Sequence, residues 1–285
     1  MSFNLSRYNE LFRLQQRNFT VVDDAIYICE NHTVRQFAPT SEQKFLEKSQ
    51  ILSIMKDLHG FIYIGQTIVT GDNDAQWYAV VCEQGFSGDE YPSAKTRSEI
   101  KRSLRRCSVR KVTGQEIVDQ VYEVMTDAMK DQYYSGKGKE DKRQYQERFL
   151  LLDEFQDIVD IWGVFLDDEL AGVAQNYKFG RLEVNYSSIK FKPQLLSHCS
   201  SYGLLHTMNE YYLRQNHAVR VNDGYRNVYH KTTIQQVLQK HFHFYKLPMK
   251  LQLQFRQPIR FFVNSLRPFR KGISSITPKA EALFL

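Results

Sequence analysis

Between Ile158 and Ile189 the chain alternates strand-forming runs with short turns, and this stretch most narrows what it can fold into. Ile158–Leu166, Leu170–Tyr177 and Leu182–Ile189 are rich in β-branched, aromatic and other apolar residues. Asp167-Asp168-Glu169 separates the first two, and Lys178–Arg181, around Gly180, separates the last two. Turns this short join only antiparallel neighbours. A loop from Phe191 to Ser200, a helix from Tyr202 to Gln215 and a strand from His217 to Asn222 follow, closed by Asp223-Gly224. A strand reached through a helix returns to the same sheet, here beside the third strand. The fold class is α/β (α+β): a mixed, mostly antiparallel sheet flanked by helices.

Upstream, helices are predicted around Arg7–Arg17, from Ser41 as N-cap to Gly60, over Ala94–Cys107 behind Ser93, over Gln115–Tyr133 and over Arg143–Phe155. Ala25–Cys29, Phe61–Val69, Trp77–Cys82 and Ser108–Val112 read as strands. Downstream come a helix over Tyr229–Lys240 and a strand over Phe242–Lys246. The last residues are basic and aromatic, and Pro258 and Pro268 interrupt helix formation there. The expected organisation is an N-terminal α/β region over 1–90, a core over 91–250 and a basic C-terminal extension over 251–285.

The chain contains no run of about 18 apolar residues, and its polar first twenty residues lack the apolar centre of a signal peptide. Cys29, Cys82, Cys107 and Cys199 are scattered with no CxxC, the pattern of free thiols in a reducing compartment. The expected location is cytoplasmic, with peripheral contact at the inner membrane face. The net charge of +6 is uneven. Tyr211–Leu285 holds 13 Lys and Arg against Asp223 and Glu281, a net of +11, which leaves −5 for the rest. Such asymmetry speaks of partners: phosphate-bearing cofactors, tRNA, or an anionic membrane or polymer surface.

The string IWGVFLDDELAGVAQNYKFGRLEVNYSSI, followed after a polar loop by SYGLLHTMNEYYLRQNHAVRVNDGY, resembles the core of GNAT-like acyltransferases, and the FemAB-type branch in particular. The upstream order fits as well: a basic helix TRSEIKRSLRRC, a short strand SVRKV and two further helices. The resemblance spans about Arg97 to Lys246. It implies a GNAT-like sheet, a first region that is a degenerate second GNAT-like half, and transfer of an acyl group to an amine acceptor by direct attack. The implied donor is acyl-CoA or aminoacyl-tRNA. Acyl-CoA would then be a co-substrate, with no tightly bound cofactor. One departure touches the donor. GNAT enzymes that use acetyl-CoA carry a glycine-rich loop before the central helix, whose N–H groups hold pyrophosphate. Here that loop reads KFKPQLLSHCSSYG, with Gly203 its only glycine.

Direct acyl transfer needs donors to polarise a carbonyl, a base for the acceptor and an acid for the leaving group. Period-2 geometry places Glu183, Asn185 and Ser187 on one face of their strand and Leu182, Val184, Tyr186 and Ser188 on the other. Glu183 is a candidate general base, or else a solvent-facing strand carboxylate. Asn185, Ser187 and Ser188 are candidates for substrate contact, or plain polar residues of a sheet face. Asp223 is a second catalytic candidate or an ordinary Asp-Gly turn. Tyr225 and Tyr229 would protonate a leaving group, as tyrosines after this strand do in similar enzymes. Donor phosphates would meet Lys190, Lys192, Ser200, Ser201, Gly203, Arg226 and Lys231, unless those lysines are merely solvated. Arg102 and Arg105, on the basic helix, would face an anionic substrate or pair internally with Asp153, Glu154, Asp157 and Asp160. His198, His206, His230, His241 and His243 lack metal-ligand spacing. The rival reading is a non-catalytic GNAT-like protein that binds nucleic acid, membrane or acidic polymer through QFRQPIRFFVNSLRPFRK, with Arg260, Arg267 and Arg270.

Overall fold

A computed structural model describes residues 3–70, 76–130, 141–197, 201–226 and 234–266. The chain forms two compact units. A central unit comprises Met1–Asn4, Val81–Gly224 and Gln236–Tyr245, and an N-terminal unit comprises Leu5–Val80, Tyr225–Gln235 and Lys246–Leu285.

The N-terminal unit starts with helix α1 (Leu5–Leu14) and a meander of β1 (Phe19–Val22), β2 (Ala25–Glu30) and β3 (Thr33–Phe37). Both hairpins turn on two residues with positive φ, Asp23 and Asp24 in one and Asn31 and His32 in the other. That is the backbone whose twist suits a two-residue hairpin. Helix α2 (Lys48–Asp57) begins at Glu47, which shares a reciprocal capping box with Gln50. The helix expected from Ser41 therefore starts later, and Thr40–Glu42 is a single 3-10 turn. Ile51, Ile54 and Met55 of α2 are buried with Tyr27, Val34 and Tyr63. Strand β4 (Ile62–Ile68) then pairs parallel with β3. The unit boundary falls within β5 (Tyr78–Cys82).

The central unit continues with α3 (Ala94–Arg106), β6 (Ser108–Val112), α4 (Gly114–Lys130), α5 (Lys142–Leu151), β7 (Val159–Leu166), β8 (Glu169–Phe179), β9 (Glu183–Phe191), α6 (Ser201–Asn209), β10 (Arg220–Tyr225) and α7 (Ile234–His241). Its strands follow the order β10-β9-β8-β7-β6. Every neighbouring pair from β6 to β9 is antiparallel, while β10 lies parallel to β9. Helix α6 runs on as a π-helical turn over Glu210–Gln215. Register assigns Asp160, Trp162, Ala174, Asn176, Val184 and Tyr186 to one sheet face. There Tyr212 Oη donates to Asp160 Oδ2 at 2.9 Å and accepts from Trp162 Nε1 at 2.8 Å and Asn176 Nδ2 at 3.2 Å. Starting three residues later than the expected Phe242–Lys246, β11 (Tyr245–Phe255) pairs antiparallel with β4 in the N-terminal unit, and α8 (Ile259–Leu266) follows it. A boundary at residue 250 thus falls inside a strand.

Two expectations change here. Cys29 and Cys82 are free thiols, but Cys107 is disulfide-bonded. Spacing weighs only neighbours in sequence, whereas folding brings distant sulfurs into reach. Two of the acids proposed to neutralise α3, Asp153 and Asp160, are occupied elsewhere. Asp153 accepts from the first amides of α4, Gly114 and Gln115, and Asp160 pairs with Lys111 and Lys178. On α3, Arg102 pairs with Glu99 and Lys101 with Asp89. Among the described residues no helix is long and apolar enough to cross a membrane.

Candidate functional site

The two strands that carry most of the candidate residues part company. β9 and β10 are paired only through Arg220↔Glu183, Val221↔Val184 and Asn222↔Asn185. Beyond Asn185, β9 runs on to Phe191 paired with β8, while β10 continues through Asp223 and Gly224. A wedge therefore opens between parallel strands at their C-terminal ends, where ligands of α/β sheets gather.

A bulge in β9 coincides with the opening. Gln175 faces Ser188 but Asn176 faces Tyr186, so Ser187 is the extra residue and is exposed. An inserted residue shifts the alternation and interrupts the ladder of hydrogen bonds. The simple period-2 assignment consequently fails past Tyr186. Ser188 and Lys190 share the face of Glu183 and Asn185, while Ser187 belongs to neither regular row.

Glu183 is not solvent-facing: it is 1% exposed. Its Oε1 accepts from Asn222 Nδ2 at 2.9 Å, and Asn222 Oδ1 accepts from the Gly224 amide at 2.7 Å. Buried Asn222 thus ties the start of β9 to Gly224 near the end of β10. Gly224 sits at φ +89°, a conformation that a side chain disfavours. Sequence reading overlooked Asn222 because VNDG looks like a plain turn; an Asn two residues before a Gly is the usual sign of a side chain that bonds the backbone ahead. Asp223 lies next to it and is half-buried. Alternation from Val221 gives Asp223 the same face as Tyr186. The Tyr186 hydroxyl donates to Asn209 Oδ1 at 2.7 Å, and burial pushes its pKa well above the ordinary tyrosine value.

The cations meet different fates. Lys190 is half-buried and makes no ion pair with any described residue, and desolvation lowers its pKa. Lys192 is buried and pairs with Glu169 at 2.8 Å and Glu123 at 3.4 Å, so it is no free phosphate ligand. Gly203 has a packing reason: a Cβ there would lie 2.5 Å from Ser103 Oγ of α3. Ser201 opens α6. Arg105 is exposed on α3, with its Nε on the Lys101 carbonyl. Tyr225 and Arg226 belong to the N-terminal unit, where Tyr225 Oη accepts from Gln43 Nε2 at 2.5 Å and Arg226 donates to the Gln76 carbonyl at 2.8 Å. Tyr229, Ser200 and Lys231 lie outside the described residues. Among those described, no cluster of His, Cys, Asp or Glu is arranged to hold a metal.

No protein-family model and no curated protein sequence matches this chain. Solved structures do. The chain is similar to FemX over 90% of its length and 93% of that chain, with a TM-score of 0.55 and 10% identity. It is similar to the C-terminal domain (DUF2156) of a putative lysylphosphatidylglycerol synthetase from Agrobacterium fabrum over 92% of each chain, at a TM-score of 0.57 and 10% identity. A conserved protein of unknown function from Bacteroides thetaiotaomicron matches 88% of this chain and 90% of its own, at a TM-score of 0.52 and 10% identity. The chain adopts a GNAT-like fold of the FemAB type.

Proposed function

We propose that this protein is an acyltransferase that moves an acyl group from an activated ester onto an amine. The observation that carries the reading is the wedge between β9 and β10, opened beside the Ser187 bulge after only three residue pairs. An extended acyl donor fits such a wedge as a strand-like guest, using backbone groups that the bulge leaves without ladder partners. FemX and the synthetase domain, whose names belong to transfer chemistry, support the reading through their shared fold.

In this reading the donor threads the wedge past Asn185 and Ser188, and its carbonyl lies at Ser187 on the side of Asp223, where N–H groups at the bulge polarise it. The acceptor nitrogen attacks the carbonyl carbon, and Asp223 takes the proton that the nitrogen loses. The tetrahedral intermediate then collapses as the C–O or C–S bond breaks, the C–N bond remains, and the alcohol or thiol leaves with the proton that Asp223 took up. Glu183 has a positioning role instead: through Asn222 it fixes Gly224 and so the carboxylate next to it. Lys190 meets an anionic part of the donor. The donor is acyl-CoA or aminoacyl-tRNA, since both present an activated acyl ester and phosphates. The basic α3, with Arg102 and Arg105, suits the larger polyanion. We further propose that the N-terminal unit is a degenerate GNAT-like half.

The test offers labelled acyl-CoA or aminoacyl-tRNA to the full chain, with a panel of amine acceptors, and follows the label into amide. Transfer from either donor that is lost in Asp223→Asn supports the proposal and names the donor. Absence of both binding and transfer for every donor would overturn it.

A further inference from the structure

Helix α8, just beyond the long strand β11, is apolar on two sides. Val263 is buried and Ile259 is half-buried, which is enough to seat the helix. Phe261 and Phe262 nonetheless point outward, 64% and 57% exposed, the two most exposed large apolar side chains among those described. Adjacent exposed phenyl rings on a seated helix are an unusual surface for a protein that meets only water.

The charge around this pair has one sign. From Arg256 to Lys271 the sequence contains five Lys and Arg and no Asp or Glu. Arg260, one residue before the pair, is exposed and makes no ion pair with any described residue. Arg256 is committed elsewhere, to the carbonyls of Met55 and Gly60, and so anchors the start of the helix. The partner must therefore be anionic at its surface and apolar just beneath.

We propose that α8 is a docking element for an anionic lipid bilayer, with Phe261 and Phe262 entering the acyl boundary and Arg260 meeting lipid phosphates. A helix lying in the interface buries aromatic side chains a few ångströms deep and keeps its cations at headgroup level. Single-stranded nucleic acid is a poorer fit. Its bases stack on parallel aromatic platforms, whereas the two rings lie at 76° to each other with centroids 6.0 Å apart. Lipid chains accept any ring orientation. This inference is independent of acyl transfer and stands or falls on its own surface.

The experiment mixes the full chain with vesicles of phosphatidylglycerol and phosphatidylcholine at equal parts, or of phosphatidylcholine alone, and measures co-sedimentation. Binding is expected to the anionic vesicles and to fall with salt. Phe261→Ala/Phe262→Ala should weaken it about tenfold or more, and Arg260→Glu by about fivefold or more. A separate Phe262→Trp variant should show blue-shifted tryptophan emission on the anionic vesicles. Failure of the wild type to bind them, equal binding by the double phenylalanine variant, an unshifted tryptophan, or RNA binding that outcompetes the vesicles would each overturn the proposal.

Discussion

Replacing Tyr212 by Phe removes one oxygen atom and three hydrogen bonds. The hydroxyl uses its full capacity, donating to Asp160 and accepting from Trp162 and Asn176. The ring remains, so no large cavity forms. Asn176 retains its contact to Met208 Sδ, and Asp160 retains Lys111 and Lys178. The indole N–H of Trp162, 3% exposed, is left with no partner in the core. A buried orphaned donor costs about 1–3 kcal/mol, and loss of the bond to a carboxylate adds to that, so the total is roughly 3 kcal/mol. With a urea slope of about 2 kcal/mol/M, the midpoint should fall by about 1.5 M. Trp162 itself reports the transition in a Trp77→Phe background, which loses no bond because the indole nitrogen of Trp77 is among the buried atoms without a hydrogen-bond partner. This hub pins the π-helical turn that continues α6 onto β7 and β8. A midpoint shift below about 0.5 M would show that the hub is not what fastens the helix to the sheet.

Gly203→Ala should destabilise by about 1–3 kcal/mol through its clash with Ser103, more than the helix-propensity gain of up to about 1 kcal/mol, and Ser103→Gly should recover most of it in urea titrations. If the single variant is instead stabilising, α3 and α6 do not approach as described. His206 is buried against Tyr91 and Glu210, with Arg214 nearby, and burial lowers its pKa below 6.5. The unfolded chain therefore takes up a proton first, and the stability present above pH 6.5 is lost as the pH falls through the folded value. Wild type should lose more melting temperature between pH 7.5 and 5.5 than His206→Gln does; parallel losses would contradict the assignment. For acyl transfer, Glu183→Gln should cost no more than about fivefold while Asp223→Asn costs about a hundredfold or more. The reverse ranking would make Glu183 the base.

The alternating runs from Ile158 onward announced β7, β8 and β9 because their turns are short and their residues leave a strand no competitor. Ser93 and Ser108 marked the ends of α3 and β6 within a residue. Other features were hidden for physical reasons. The hairpins of the N-terminal unit turn on Asp-Asp and Asn-His rather than on glycine, so β1 and β3 carried little signal. Strand β11 contains Pro248, which reads as a break, yet its carbonyl still accepts from the Val69 amide. Pro258 reads as a helix breaker too, but it precedes the first turn of α8, where its missing N–H costs nothing. Period-2 reasoning recovered β9 as a strand and lost its faces at Ser187, because a bulge is a property of pairing with β8. Glu183 and Asp223 were legible as carboxylates at a strand start and a strand end. The link from Glu183 through Asn222 to Gly224 was not, since the parallel register that brings Asn222 beside Asn185 exists only after the chain has crossed through α6.

Hydrogen exchange on the full chain with and without donor tests most directly whether the wedge is where the donor binds. Acyl-CoA or aminoacyl-tRNA should slow exchange at the amides from Tyr186 to Lys190 and at Asp223 and Gly224, and Ser188→Trp should abolish that protection. Protection confined to other segments, or protection that survives Ser188→Trp, would contradict the assignment of the wedge as the donor site.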